Sequence, residues 1–455
     1  MIDFTDRINE LTDYAKNKLG LDARDEFYVK NRLAEIFLSG AEGAELEDAI
    51  YGELSLLPSA VDAVFQSKLK SEGSRAATDW FYTYCVNNMY VKKAVLDKNP
   101  RFDTDGGLVV TINKAKPEFR DPKKAKAGNS VDGGFAKCVI CRENEGFGAR
   151  NKRNLRTVSI TLDSQPWFWQ YSPYGYFNEH GIAVNCEHIP MHVDKSTFYK
   201  LLDFVDLFPH YFIGCNAPLP RIGGSVLAHD HYQGGGEVLP LHRAKIRKYV
   251  KDAEYPSAKI GILEWPGTVI RIMSADREQI CCVSEKIRRA WEGYSVPGLG
   301  LIAEDKDGVH NAISPTVIKT AAGYEMNIIL RSNVTSEKYP DGVFHAHPEF
   351  HSIKKESIGL IEAQGLFILP GRLEEELAEI ERLIAENLDL PPEYDRFKLV
   401  YDETKALISS GSFADVGAAM RAELGSICYR ILENTAVFAD DVRFGEFLIK
   451  AGFEL

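Results

Sequence analysis

No apolar run in the 455-residue chain reaches the roughly 18 residues that a bilayer-spanning helix needs, so no membrane span is expected. The start, Met1 to Arg7, is charged at once and lacks an apolar core, so no secretory signal is expected either. Basic charge is in deficit: Lys+Arg 54 against Asp+Glu 66 gives a net charge of −12. Such a surface repels nucleic acid and anionic lipid, but a local pocket can still take a small anion. Of the 8 cysteines, only Cys138 and Cys141 have a chemically meaningful spacing, which reads as metal or redox rather than as a disulfide framework. A reducing cytoplasm is the expected setting. Composition is otherwise that of a globular protein, 45% apolar and 26% charged, which excludes a disordered tail, a fibre and a coiled-coil rod.

Histidine is missing from both ends. All 11 lie between His180 and His351. The periodicity of Ile2 to Gly20, Asp22 to Gly40 and Leu46 to Lys70 predicts helices, with Gly20 and Gly40 as stops. The Lys/Pro/Gly-rich stretch Lys114 to Asn129 reads as a loop or boundary. Strands are predicted over 158–162, 181–185, 224–228, 259–263, 267–273 and 325–330. Ser196 to Phe208 reads as a helix capped by Ser196, and further helices are predicted over 352–366, 373–387 and from Tyr394 to Leu448. The pattern is α+β, with four regions: a helical segment 1–130, two strand-rich halves 131–245 and 246–375, and a helical tail 376–455.

Chemistry concentrates in Gly223-Gly-Ser-Val-Leu-Ala-His-Asp-His-Tyr-Gln-Gly-Gly-Gly236. On a strand, His229, His231 and Gln233 share one face, with glycines at both ends to admit a ligand close to the backbone. Two imidazoles and an amide beside glycine-rich backbone make a phosphate site in which one imidazole attacks phosphorus. Cys138-Val-Ile-Cys141 is a knuckle of the kind that holds zinc. Its two further ligands would come from His229, His188 and His192; the alternative is a pair of buried thiols. A second element, His345-Ala-His347, again puts two imidazoles on one face of a predicted strand, with Glu349 in phase. Lys354, Lys355 and Glu362 follow, the last on a helix where Lys355 and Glu362 could meet a polar substrate. The two H-x-H elements read as a diverged duplication.

Together with Gln170-Tyr-Ser-Pro-Tyr174, Asn178-Glu-His180, His188-Ile-Pro-Met191, His310-Asn311, Asn327-Ile-Ile-Leu-Arg331, Pro340-Asp-Gly-Val-Phe-His345, Ile353-Lys-Lys355 and Gly359-Leu-Ile-Glu362, the stretch from Pro220 to Gly235 resembles the bacterial second class of galactose-1-phosphate uridylyltransferases. The likeness is dense over residues 130 to 375. It implies two histidine-triad-like halves with antiparallel sheets, flanked by helices. The implied reaction, in galactose metabolism, moves UMP from UDP-glucose to galactose 1-phosphate through a uridylyl-histidine. His231 matches the nucleophile and Gln233 the glutamine that bonds the phosphoryl oxygen. His229 matches a zinc position of the first class, so that the implied metal set is Cys138, Cys141, His188 and His229, with His192 as the alternative to His188. Glu362 and Gln364 match positions that hold hexose hydroxyls, and Asn216, Gly224 and Ser225 match a nucleotide phosphate contact. The chain departs from the class pattern at Pro218, Arg221, Ala346 and Gln364; Arg221 beside the phosphate loop could strengthen anion binding. His345, His347 and Lys354 complete the expected substrate-binding set. Implied partners are UDP-glucose, UDP-galactose and hexose 1-phosphates, with no nucleic acid and no membrane, and dimers are common in the resembled family. Rival readings are a histidine-triad nucleotide hydrolase or phosphorylase, and a non-catalytic nucleotide- or metal-binding scaffold.

Overall fold

The computed structural model describes residues 4–115, 134–224, 226–306 and 308–455. Most of the expected boundary stretch 114–129 therefore lies outside the described residues. Among those described, the strands in chain order are β1 (Arg101–Asp103), β2 (Val109–Asn113), β3 (Val158–Leu162), β4 (Gln165–Tyr171), β5 (Gly181–Asn185), β6 (Phe212–Gly214), β7 (His231–Gly235), β8 (Ile246–Val250), β9 (Lys259–Leu263), β10 (Val269–Ser274), β11 (Glu304–Asp305), β12 (Gly308–Val309), β13 (Asn311–Thr320), β14 (Gly323–Ser332) and β15 (Leu366–Pro370). The expected α+β class holds: antiparallel sheets with helices, and one parallel pair, β2 with β15. No helix among the described residues is long and apolar enough to cross a membrane.

The chain forms two compact units. One comprises Met1–Asp97, Lys123–Met191 and Ala228–Gly236; the other comprises Lys98–Pro122, His192–Leu227 and Glu237–Leu455.

In the first unit, helices Thr5–Lys18, Glu26–Leu38, Gly43–Leu54, Pro58–Ser71 and Ser74–Asn87 precede the strands. Gly20 and Gly40 stop helices in the left-handed conformation, as their positions predict. The single helix expected over 46–70 is two, because Pro58 has no N–H to continue a ladder and instead opens a new helix. Strand order is β3-β4-β5-β7, all antiparallel. β3 and β4 are joined by Asp163 and Ser164, both at positive φ, the two-residue turn whose twist suits a hairpin. One face of the sheet is aromatic: Trp167 stacks on Tyr232 at 4.7 Å, and both are buried. On β7 the side chains alternate, so His231 and Gln233 fall on the opposite face, opposite Val184 and Ile182 of β5.

In the second unit the strand order is β6-β13-β14-β10-β9-β8. Helices Lys195–Leu207 and Arg277–Glu292 and the C-terminal helices Leu373–Ala385, Lys398–Ser409, Val416–Asn434 and Asp441–Lys450 belong to it. Its buried Trp291 donates from Nε1 to the carbonyls of Ala312 and Arg331, tying the Arg277–Glu292 helix to β13 and β14.

Several expectations need correction. The helix expected from Ser196 is capped by Asp194, whose carboxylate accepts from Thr197 N in a reciprocal capping box. Among the described residues of 224–228, none is in a strand. Only Leu360–Ala363 is α-helical within 352–366. The Ile358 carbonyl there accepts from Arg331 and the Leu360 N–H donates to Asn216 Oδ1, so both are already used by distant partners. His345 and His347 lie in a loop rather than a strand, and Pro348 opens a short 3-10 turn over Pro348–Phe350.

Candidate active site and metal centre

The knuckle after residue 137 brings two sulfurs together. Cys138 Sγ and Cys141 Sγ are 3.4 Å apart, and Asn144 Nδ2 closes the turn by donating to the carbonyls of both residues. His188, just beyond β5, places Nδ1 at 3.2 Å from Cys141 Sγ. His229, two residues before β7, places Nδ1 at 3.3 Å from Cys138 Sγ and 3.6 Å from Cys141 Sγ. All four ligand atoms lie within 4.8 Å of one another. A tetrahedral zinc with two thiolates and two imidazoles separates its ligand atoms by roughly 3.4–3.8 Å, given its bond lengths. The donor set therefore fits zinc in kind, number and spacing, and with four protein ligands it fits a closed, structural site. His229 Nε2 donates to Asn185 O at 2.8 Å, which fixes the tautomer that presents Nδ1 to the metal position. A hydrogen bond from Cys138, outweighing the upward push of burial, holds the Cys141 thiol well below its usual range. His192 is not in the cluster; its Nε2 lies 3.9 Å from Asp194.

Sequence and metal cluster then converge on His231. Its Nδ1 donates to the carbonyl of His229 at 2.8 Å, leaving the lone pair on Nε2. Burial pushes this imidazole down to about 4, so it is neutral at physiological pH. The residue that supplies the carbonyl also belongs to the candidate metal cluster, so that cluster and the His231 tautomer share one anchor. The expectation that His229, His231 and Gln233 share one strand is corrected in part: β7 begins at His231, and His229 precedes it with its ring turned to the cysteines. Gln233 Oε1 meets His180 Nε2 at 3.3 Å.

The other expected site residues belong to the second unit. Asn216 is buried; its Oδ1 caps Leu360 N at 2.8 Å and its Nδ2 finds no partner among the described residues. A Cβ at Gly223 would sit 2.2 Å from the Ala217 carbonyl, so that position needs glycine, while one at Gly224 would sit 3.0 Å from that Nδ2 and would push the amide aside. Ser225 lies outside the described residues. Arg221, at positive φ, turns its guanidinium onto Asn333 O. His345 Nδ1 donates to Ala346 O, and burial pushes its ring down to about 4. His347 Nε2 donates to Val343 O while the ring stacks on Tyr339 at 4.0 Å. Lys354 and Glu362 are buried and paired with each other at 2.5 Å. Lys355 is exposed instead, so the expected Lys355–Glu362 face does not form. Gln364 is fully buried, accepting from Thr316 Oγ1 at 2.9 Å and donating to Leu360 O.

Two residues of the first unit had no role in the sequence reading. Asn144 follows the knuckle at a spacing that continues it, C-x-x-C-x-x-N. His180 sits in the quoted Asn178-Glu-His180 motif, one residue before β5, but only the β5–β7 register reveals that it reaches Gln233.

Two family models match the chain: galactose-1-phosphate uridyl transferase, N-terminal domain, over residues 41–190, and its C-terminal domain over residues 203–394. A galactose-1-phosphate uridylyltransferase of Bifidobacterium longum is 54% identical over 414 residues, covering 90% of this chain and 80% of the relative. One from Caldanaerobacter subterraneus is 38% identical over 436 residues, covering 90% and 84%. A crystal structure of yeast Ap4A phosphorylase Apa2 is a distant neighbour, 10% identical, covering 70% of this chain and 92% of that one at a TM-score of 0.35, too loose to carry an argument. The relatives place the chain among the nucleotidyltransferases. It belongs to the galactose-1-phosphate uridylyltransferase family.

Proposed function

We propose that this chain transfers UMP from UDP-glucose to galactose 1-phosphate in two in-line displacements on His231. The observation that carries the reading is the His231 ring itself: neutral, with Nδ1–H fixed on the His229 carbonyl and the lone pair left on Nε2. In the first step Nε2 attacks the α-phosphorus. The bond from that phosphorus to the bridging oxygen breaks, its electron pair stays with the oxygen, and glucose 1-phosphate leaves. The resulting imidazolium keeps its Nδ1–H on the same carbonyl, which stabilises the positive charge. In the second step a phosphate oxygen of galactose 1-phosphate attacks, the P–N bond breaks, and neutral His231 returns with UDP-galactose released. Gln233 donates to a non-bridging oxygen as charge spreads over the equatorial oxygens.

Asn216, through its unpartnered Nδ2, the backbone at Gly224 and Ser225, and Arg221 are assigned to the phosphates and the loop that holds them. His345 and His347 are assigned to the acceptor side. Lys354 pairs with Glu362, and Gln364 accepts from Thr316 and donates to Leu360 O, which suits them to holding the 354–364 segment in place rather than to touching an acceptor. Zinc on Cys138, Cys141, His188 and His229 would supply rigidity to the segment that ends in His231. Thiolate ligands of this kind suit a reducing cytoplasm.

The test is labelling. Incubated with UDP-glucose alone, the protein should gain one uridylyl group and release one equivalent of glucose 1-phosphate. Adding galactose 1-phosphate should discharge the label as UDP-galactose. His231→Ala that still labels removes His231 from the role, and continuous glucose 1-phosphate release without acceptor makes the protein a hydrolase.

A further inference from the structure

Gln233 can help the transferring phosphoryl group only if the nitrogen end of its amide faces it. Nothing in a glutamine's shape decides which end that is. The decision is made by a chain of hydrogen bonds that starts on the backbone. The N–H of Tyr176 can only donate, and it points at His180 Nδ1 at 3.4 Å. Nδ1 is therefore an acceptor, and the proton of the neutral imidazole is on Nε2. Nε2–H must find an acceptor, and the atom it meets at 3.3 Å is Gln233 Oε1.

The ring cannot rotate out of this role. It is buried, stacked on Tyr176 at 4.8 Å and packed against Phe177 at 4.5 Å. The turn that carries it is held to β7. His180 N donates to Phe177 O, Glu179 adopts positive φ, and Gly236 N donates to Asn178 O. A Cβ on Gly235 would lie 2.4 Å from the Glu179 carbonyl, so the last residues of β7 are glycine where the turn rests on them. Burial also pushes the His180 ring down to about 4, which keeps it neutral and preserves the donor-acceptor order.

We propose that His180 is the positioning residue for Gln233: its Nε2–H pins Oε1, so that the Gln233 amide presents N–H to the α-phosphoryl oxygens during transfer to His231. This rests on the uridylyl-transfer reading above. His180 touches no substrate in this scheme, and its effect passes entirely through the amide. An unpinned amide spends time flipped, presenting a carbonyl lone pair to an anion that repels it.

The experiment is the burst of glucose 1-phosphate from UDP-glucose, measured at saturating donor on the full, metal-loaded chain. His180→Leu should slow the burst at least tenfold with donor affinity little changed, and in a Gln233→Ala background it should add nothing further. His180→Gln, which restores an amide donor near the position of Nε2, should recover most of the rate. An unchanged burst in His180→Leu overturns the proposal. So does an undiminished extra loss in the Gln233→Ala background, or His180→Gln as slow as His180→Leu. Should His180→Leu fail to fold, nitrogen NMR of the wild-type histidines decides: a proton on His180 Nε2 supports the chain of bonds, and one on Nδ1 overturns it. A wild-type protein that shows no burst and no label on His231 defeats the parent reading instead, and is told apart from these outcomes because it precedes any His180 variant.

Discussion

His229-Asp-His231 and His345-Ala-His347 share a spacing, and each has a phenylalanine or aliphatic neighbourhood, yet the chain uses them differently. In the first, each ring spends one nitrogen on a backbone carbonyl, Asn185 O for His229 and His229 O for His231, and the other nitrogen of His229 faces the sulfur pair. In the second, both rings bond carbonyls of their own loop, Ala346 and Val343, and one is covered by Tyr339. Spacing alone does not set a ring's surroundings. His231 and His345 both turn Nδ1 to a carbonyl, but only His231 stands on a strand that fixes its ring.

The sharpest way to break this contrast is to remove the rings one at a time. His231→Ala should lower the uridylylation burst by on the order of 10⁴-fold or more, as expected for a lost nucleophile. His345→Ala should leave that burst within about threefold and act, if at all, on the acceptor half-reaction. Equal losses in the two variants would erase the distinction. Next in size is the metal. Purified protein should carry one equivalent of zinc, and Cys138→Ser should lose it together with more than about 3 kcal/mol of stability, because a buried ligand set is left without its counter-charge. His347→Ala should retain the full equivalent. Stable, metal-free protein would show the sulfur pair to be packing only.

A smaller effect is expected in acid. Burial holds His345 near 4, below its ordinary value of 6.5. A lowered folded pKa means stability that is present above 6.5 and lost as pH falls toward 4, since the unfolded chain takes the proton first. His345→Asn should flatten the loss between those limits by up to about 1.4 kcal/mol per pH unit in denaturant titrations. An unchanged slope would mean that the ring is not desolvated. Smallest of all, Tyr339→Leu should cost about 0.5–1.5 kcal/mol for the lost stack on His347 and leave the burst untouched.

Much of the first site could be read from residues in order. The knuckle, the H-x-H-x-Q run and its glycine frame name their own chemistry, and strands 158–162, 181–185 and 259–263 alternate clearly enough to be placed to the residue. Failures cluster where a distant partner outweighs local preference. The 352–366 segment has helical periodicity, but Asn216 and Arg331 claim its backbone groups. His345 and His347 alternate as in a strand, but among the described residues no neighbouring strand pairs with them. The His180 contact is hidden from the sequence for the same reason: its partner is 53 positions away, and only the register of two strands makes them neighbours.

The pairing of β5 with β7 carries a consequence for biosynthesis. Everything between Asn185 and His231 must be made before β5 acquires that partner, and most of that stretch belongs to the other unit. While the ribosome is still copying it, β3 to β5 present a hydrogen-bonding edge of Gly181 to Asn185 with nothing to cap it, the kind of edge that invites association with other chains. A polypeptide released prematurely late in that stage would carry Cys138, Cys141 and His188 of the cluster but neither His229, His231 nor edge cover. Truncation there should give aggregates rather than a slow enzyme, and helper proteins that shield nascent edges should matter most to this chain in that interval.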